Sequence, residues 1–312
     1  NSKVKNLHFF FVPVDRNIEC FDVYKLNPTR DIFYAMSHGV NRAKLKKGKT
    51  DSRINFLNNL IKKIDNINYD FYGFANKEPN KLAIVGPNEE LVSRGELLSK
   101  ANKLTHALRD LGLKKFDTVA VVLPNSVEYF VVYMACLQAG FYLVPINWHL
   151  AGPEIAYILE DSEAKAFIAS GKNPDMEKAC INAVSEISFN KKGCITIDEL
   201  EGFRHIDDFT KSMPDENPHD RSAGQVMNYT SGTTGKPKGV KRNLVEGDPD
   251  DVLSLFAMIF SFYNIQPEDE NVHIVGSPLY HTAVIVHSTA SLHYGHSVVV
   301  MDKFDAEKML YL

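Results

Sequence analysis

Residues 229–240 read Tyr229-Thr230-Ser231-Gly232-Thr233-Thr234-Gly235-Lys236-Pro237-Lys238-Gly239-Val240. Three glycines, four aliphatic hydroxyls and two lysines fall within twelve positions. Glycine lets the backbone take positive φ and come close to a ligand. Successive backbone N–H groups in such a loop form a concave anion nest. The hydroxyls of Thr230, Ser231, Thr233 and Thr234 can bond phosphate oxygens or a magnesium ion, and Lys236 and Lys238 are cations for the same phosphates. The chemistry this composition suits is phosphate binding. A plain solvated turn rarely joins so many hydroxyls, glycines and lysines behind an apolar run. A Walker-type loop is excluded by spacing. It needs a glycine five positions before Gly235, where Thr230 stands, and Ser or Thr after the lysine, where Pro237 stands.

The elements that must hold this loop can be read around it. Gln225–Tyr229 has the content of a short buried strand, so the loop leaves a strand end, where ligands sit in open α/β sheets. From about Phe71 the chain alternates. Leu82–Val85 reads as a strand and Ser93–Leu111 as a helix, with Ser93 and Glu96 as a capping box and Gly112 past its end. Strand Thr118–Leu123, turn Pro124-Asn125, helix Ser126–Ala139 and strand Tyr142–Pro145 follow. A further helix opens at Gly152-Pro153, and Ala166–Ala169 is again a strand. Such alternation predicts a mostly parallel sheet covered on both faces. Residues 171–224 are polar, carry Pro174, Pro214 and Pro218, and read as an irregular surface crossing. Asp248 should cap a helix running to about Phe262, Asn271–Gly276 and Ser297–Met301 read as strands, and Asp305 should cap a last helix. Val127–Ile146 is apolar enough to suggest a membrane span, but Glu128, Gln138, Gly140 and Pro145 point to a buried helix and a buried strand.

Thr230–Gly239 resembles, position for position, the phosphate-loop signature T/S-S-G-T/S-T-G-x-P-K-G of the adenylate-forming superfamily. Leu91–Leu108 and Leu137–Asn147 are similar to that superfamily's first two core segments, and both read as packing motifs. Pro278-Leu279-Tyr280-His281 resembles the P-L-F/Y-H motif of its acyl- and aryl-CoA synthetases. The resemblance covers residues 71–312. It implies the α/β fold of the superfamily's large N-terminal domain, with layered, mostly parallel sheets. It also implies an acyl-CoA synthetase chemistry. ATP and a carboxylic acid, expected to be lipophilic and first of all a fatty acid, give an acyl-adenylate, which coenzyme A then takes up. Thr230, Ser231, Gly232, Thr233, Thr234, Gly235, Lys236 and Lys238 would hold ATP, Thr233 would meet Mg2+, and Lys238 and His281 would be catalytic. Tyr280-His281 carries no acid to pair with a substrate amino group. The later acidic motif, the hinge and the small C-terminal domain of the superfamily are not in the sequence, so the chain is expected to be a front portion, inactive alone. Another adenylating ligase, acting on an aryl or carrier-bound acid, or a non-catalytic nucleotide-binding or membrane-binding protein, are the alternatives.

The remaining features bound these readings. The 312 residues hold 35 Lys and Arg against 39 Asp and Glu, a net charge of −4, which suggests neither nucleic acid nor membrane as the main partner. Four cysteines without a C-x-x-C pair suit free thiols in a cytoplasmic setting. Residues 1–70 differ, with an excess of six positive charges. Their basic run and the amphipathic pattern Ile54, Leu57, Ile61, Ile64 fit either a peripheral lipid contact through residues 42–64 or a solvated linker with a packed helix. His287, His293 and His296 lack zinc-site spacing. Lys241 and Arg242 either extend the positive field of the loop or are ordinary exposed charges.

Overall fold

The computed structural model describes residues 70–230, 237–257, 260, 263, 265–267 and 269–312. The basic segment 1–69, with its basic run and the amphipathic pattern Ile54, Leu57, Ile61, Ile64, lies outside the described residues. In chain order the first elements are α1 (Phe71–Lys77), β1 (Leu82–Val85), β2 (Leu91–Ser93), α2 (Arg94–Asp110), β3 (Thr118–Val122), α3 (Val127–Gln138), β4 (Tyr142–Pro145), α4 (Gly152–Asp161) and β5 (Ala164–Ala169). The start of α2 is the capping box that the sequence spells. Ser93 Oγ accepts from the Glu96 amide at 3.2 Å, and Glu96 Oε2 accepts from the Ser93 amide at 2.7 Å. α3 ends where Gly140 takes φ of +73°, a conformation that costs a side-chain-bearing residue steric strain.

Residues 171–224, read from sequence as irregular, form further layers instead: α5 (Pro174–Glu186), β6 (Cys194–Thr196), β7 (Arg204–His205) and the short α6 (Ile206–Thr210). The prolines misled because Pro174 sits at the first helical position, where its missing N–H costs nothing. Asn173 caps that helix by accepting from the Met176 amide at 3.0 Å, and Met176, Ala179, Cys180 and Ala183 make its buried stripe. The expected single strand over Gln225–Tyr229 is also corrected. It breaks at Met227 into β8 (Gln225–Val226) and β9 (Asn228–Thr230), and its flanking residues are half-buried rather than buried. There follow β10 (Lys238–Val240), α7 (Pro249–Ala257), β11 (Val272–Val275), α8 (Thr282–His293), β12 (Ser297–Val300) and α9 (Ala306–Tyr311). Asp248 Oδ1 accepts from the Asp250 amide at 2.9 Å at the start of α7, and Asp305 caps α9.

Six strands make one all-parallel sheet in the order β7-β6-β5-β3-β4-β8. A second sheet has the order β11-β12-β1-β2, parallel except for the β1/β2 pair. Side chains alternate across a strand. Val119 and Val121 therefore join the core shared with α1, α2, α3, α8 and the second sheet, while Ala120 and Val122 join a separate core under α4 and α5. α3 is apolar on all sides because it is enclosed by that shared core, with only Glu128 half-exposed. The Val127–Ile146 stretch is thus a buried helix and strand. Cys136, Cys180 and Cys194 are free, buried thiols.

Candidate active site

Of the loop residues, Thr230 and Lys238 are described; Ser231, Gly232, Thr233, Thr234, Gly235 and Lys236 lie outside the described residues. β9 and β10 pair antiparallel with Thr230 opposite Lys238, Tyr229 opposite Gly239 and Asn228 opposite Val240. Thr230 and Lys238, which flank residues 231–236, are therefore both exposed and meet across one pair of strands. Gly239 faces the end of the Met227 side chain and the Tyr229 ring in this pairing. A Cβ there would stand 2.4 Å from Met227 Cε and 2.9 Å from the Tyr229 ring.

The last turn of α4 fixes both feet of the hairpin. Tyr229 donates its hydroxyl to Asp161 Oδ2 at 2.6 Å, and Tyr157 donates to the Pro237 carbonyl at 3.0 Å. Burial, and then the Asp161 carboxylate, raise the Tyr229 pKa well above that of a free phenol, so its hydroxyl keeps its proton at any physiological pH. Beyond the hairpin, Tyr142 of β4 donates to the Arg242 carbonyl at 2.6 Å, and the Lys241 ammonium lies 4.8 Å from the Tyr142 ring centre. Lys241 thus has a cation–π partner at the base of the hairpin.

His281 is the N-cap residue of α8, just past the C-terminal end of β11, with no side-chain hydrogen bond to the helix it starts. Its imidazole is exposed on one side and packs on Tyr280, ring centres 4.4 Å apart. The desolvation it does meet lowers its pKa below the ordinary 6.5, which favours the neutral ring near pH 7. The turn that carries it is pinned by Asn125. The Asn125 amide nitrogen donates to Ser277 O at 3.1 Å and Met301 O at 2.9 Å, and its oxygen accepts from the Leu279 amide at 2.9 Å. Thr230 and Lys238 are thus brought together on the six-stranded side, while His281 follows a strand of the other sheet, and no hydrogen bond among the described residues joins it to them.

The three later histidines serve the backbone. His287 Nδ1 lies 2.7 Å from the Ala283 carbonyl, His296 Nε2 lies 2.9 Å from the Gln266 carbonyl, and His293 Nδ1 accepts from the Phe71 amide at 3.1 Å. Among the described residues no group of three or more His, Cys, Asp or Glu side chains is arranged to hold a metal ion, and no helix is long and apolar enough to cross a membrane.

A family profile described as "AMP-binding enzyme" matches residues 71–312. This chain belongs to the AMP-binding enzyme family. Within the family it is similar to the 2-succinylbenzoate–CoA ligase of Bacillus licheniformis, 29% identical over 240 residues, which are 76% of this chain and 45% of the relative. It is also similar to a long-chain-fatty-acid–CoA ligase of Mycobacterium tuberculosis, 28% identical over 239 residues, 75% of this chain and 45% of the relative. Among solved structures, ATP-bound MatB from Rhodopseudomonas palustris matches with a TM-score of 0.60 at 26% identity, over 79% of this chain and 48% of that one. The chain spans about half the length of the curated relatives it matches. The AMP-binding fold expected from the loop signature is the fold the chain has.

Three residues around the site escaped the sequence reading. Tyr157 and Asp161 stand four apart in the last turn of α4, a spacing that shares one helix face but does not say that the face meets a hairpin 70 residues on. Asn125 reads as an ordinary turn residue, and only the approach of the second sheet gives its carboxamide partners.

Proposed function

We propose that this chain carries the nucleotide-binding front of an ATP-dependent acid–thiol ligase that releases pyrophosphate and then AMP. The observation that carries the reading is the hairpin. The sequence between its strands spells a phosphate loop, its ends pair Thr230 with Lys238, and both feet are bonded to α4. Residues 71–312 are the large domain in this reading, and residues 1–70 an extension of separate role.

The reaction has two steps. A carboxylate oxygen attacks the α-phosphorus of ATP, the bond to pyrophosphate breaks, and an acyl-adenylate forms. The sulfur of coenzyme A then attacks the acyl carbon, its proton is lost, and AMP leaves. Negative charge grows on pyrophosphate in the first step. Lys236, Lys238 and the loop amides meet that charge, and preorganised groups of this kind stabilise a transition state more than a ground state. Thr230, Ser231, Thr233 and Thr234 bond phosphate oxygens, with Gly232 and Gly235 allowing the close approach. Magnesium arrives with ATP as part of the substrate and neutralises developing phosphate charge. The loop signature assigns Thr233 as the hydroxyl that would meet that ion. Neutral His281 donates a hydrogen bond to the substrate carboxylate or the reacting phosphate.

The acid is lipophilic, with a fatty acid as first choice. After His281 and Thr282 the start of α8 runs Ala283-Val284-Ile285-Val286, an aliphatic stretch, and Tyr280-His281 offers no acid for an amino group. Carboxylate-dependent exchange of pyrophosphate into ATP by the native-length protein, with fatty, aryl and amino acids in parallel, tests both parts. Exchange with a fatty acid supports the whole reading, exchange with an aryl acid alone moves the substrate class, and no exchange with any acid removes the enzyme.

A further inference from the structure

Asn125 has three hydrogen bonds, two of them buried and the one to Ser277 O part-buried, and belongs to neither element that carries the site. It follows β3 at the end of the six-stranded sheet and precedes Ser126, which caps α3 by accepting from the Tyr129 amide at 3.3 Å. Its backbone is therefore held by a strand on one side and a helix on the other. A carboxamide offers two donors and an acceptor oxygen. Here both donor directions and the oxygen are used, and all three partners are main-chain groups of the other sheet's strand ends: Ser277 after β11, Leu279 in the turn and Met301 after β12. Asn125 is 5% exposed, Leu279 1% and Met301 0%, so water is no ready substitute for the bonds to Leu279 and Met301, whereas Ser277 is exposed.

The turn so clamped is the one that delivers His281. The His281 amide donates to Pro278 O at 3.1 Å, and the His281 carbonyl accepts from the Val284 and Ile285 amides, at 3.0 and 3.1 Å, to start α8. Between β11 and α8 the turn has that one internal bond and the Asn125 clamp. We propose that Asn125 is a positioning residue for His281, locking the Ser277–Tyr280 turn to both strand ends so that the imidazole is held at a fixed place beside the reacting carboxylate. The inference rests on the reading of His281 as the group that meets substrate. It assigns Asn125 no contact with substrate.

A residue that acts through another has its effect cancelled when that other is removed. The test compares Asn125→Ala, His281→Ala and the double variant in carboxylate-dependent ATP–pyrophosphate exchange on the full-length protein, normalised to folded protein. Asn125→Ala is expected to lower kcat about tenfold or more with KM for ATP near that of the parent, because in this reading the phosphates are held at the separate two-stranded β9/β10 hairpin, which Asn125 does not touch. The double variant is expected to match His281→Ala. Independent, multiplying effects would overturn the proposal, as would a kcat for Asn125→Ala equal to that of the parent. Asn125→Asp keeps the acceptor for the Leu279 amide but turns an anionic oxygen on the Ser277 and Met301 carbonyls, so it should be impaired at least as much as Asn125→Ala; Asn125→Ser, which keeps a hydroxyl, stands in if the alanine variant does not fold. Proton NMR titration of the His281 ring gives a readout free of activity. Its pKa should rise toward the ordinary 6.5 when the clamp is cut, and an unchanged titration would refute the positioning. If parent and variants alike show no exchange, the ligase reading falls, and the titration alone decides whether Asn125 holds the ring.

Discussion

His293 offers a sharp physical test of how the second sheet is held beneath the site. It ends α8, the helix that His281 begins, and it is 3% exposed. Its Nδ1 accepts from the Phe71 amide, so the proton sits on Nε2, which is buried without a hydrogen-bond partner. A charged ring would need a second donor bond where the Phe71 amide already points its hydrogen. Burial accordingly lowers the pKa to about 3 from 6.5. The fold favours the neutral ring, so its contribution is complete above pH 6.5 and falls as pH drops toward 3. Between pH 7 and pH 5 the unfolded imidazole takes up a proton and the folded one does not. At 1.36 kcal/mol per pH unit that is a loss of about 2 kcal/mol. Asp70 works in the opposite direction. Burial, and then Asp250, raise its pKa to about 6, so its contribution is complete below pH 3.8 and is lost as pH rises through about 6. The total pH slope therefore mixes the two, and a variant must separate them. In His293→Asn the amide oxygen replaces Nδ1 as acceptor for Phe71 and cannot titrate. Urea unfolding of parent and variant at pH 7 and pH 5 gives the change for each. The parent should lose about 2 kcal/mol more than the variant over that interval, while the packing cost of the smaller side chain cancels between the two pH values. Equal changes in the two proteins would refute the assignment of His293 as a buried neutral ring.

The remaining predictions concern the hairpin and its feet. Lys238 is exposed, so Lys238→Ala should leave the unfolding midpoint unchanged while lowering pyrophosphate exchange on the order of 10²-fold; unchanged exchange would remove the loop assignment. Tyr229→Phe cuts the bond to Asp161 and frees one foot, so KM for ATP should rise about tenfold, the effect of losing roughly 1.5 kcal/mol of hydrogen bonding to a charged group; Asp161→Asn should do less, since an amide oxygen still accepts, and the order of the two variants is what the ATP titration checks. Gly239→Ala drives a methyl into Met227 and the Tyr229 ring, so thermal unfolding should show a loss of about 1–3 kcal/mol, and a variant as stable as the parent would show that the hairpin tolerates what its packing forbids.

Local chemistry alone determined much of this protein. The capping box at Ser93 and Glu96, the stop at Gly140, the caps at Ser126, Asp248 and Asp305, and the period-2 and period-3.6 patterns are all decided by neighbours within a few residues. They can therefore be read without knowing what lies opposite. The loop composition likewise names phosphate as its ligand class and matches the family signature. Residues 171–224 misread for the converse reason. Their prolines and charges are surface features, and the buried stripe of α5 is short enough that only its fit against β5 and α4 makes it a helix. Tertiary structure decided how the site is held. Tyr229 and Asp161 are 68 positions apart, and Asn125 and Met301 are 176. No local preference predicts such pairs, because a hydroxyl or carboxamide in a turn is equally content with water until burial removes the water. The same holds for His293, whose spacing fits no zinc site and which local sequence gives no role. Burial against Phe71 and Tyr72 of α1 instead made it a neutral acceptor for a helix-start amide 222 residues away.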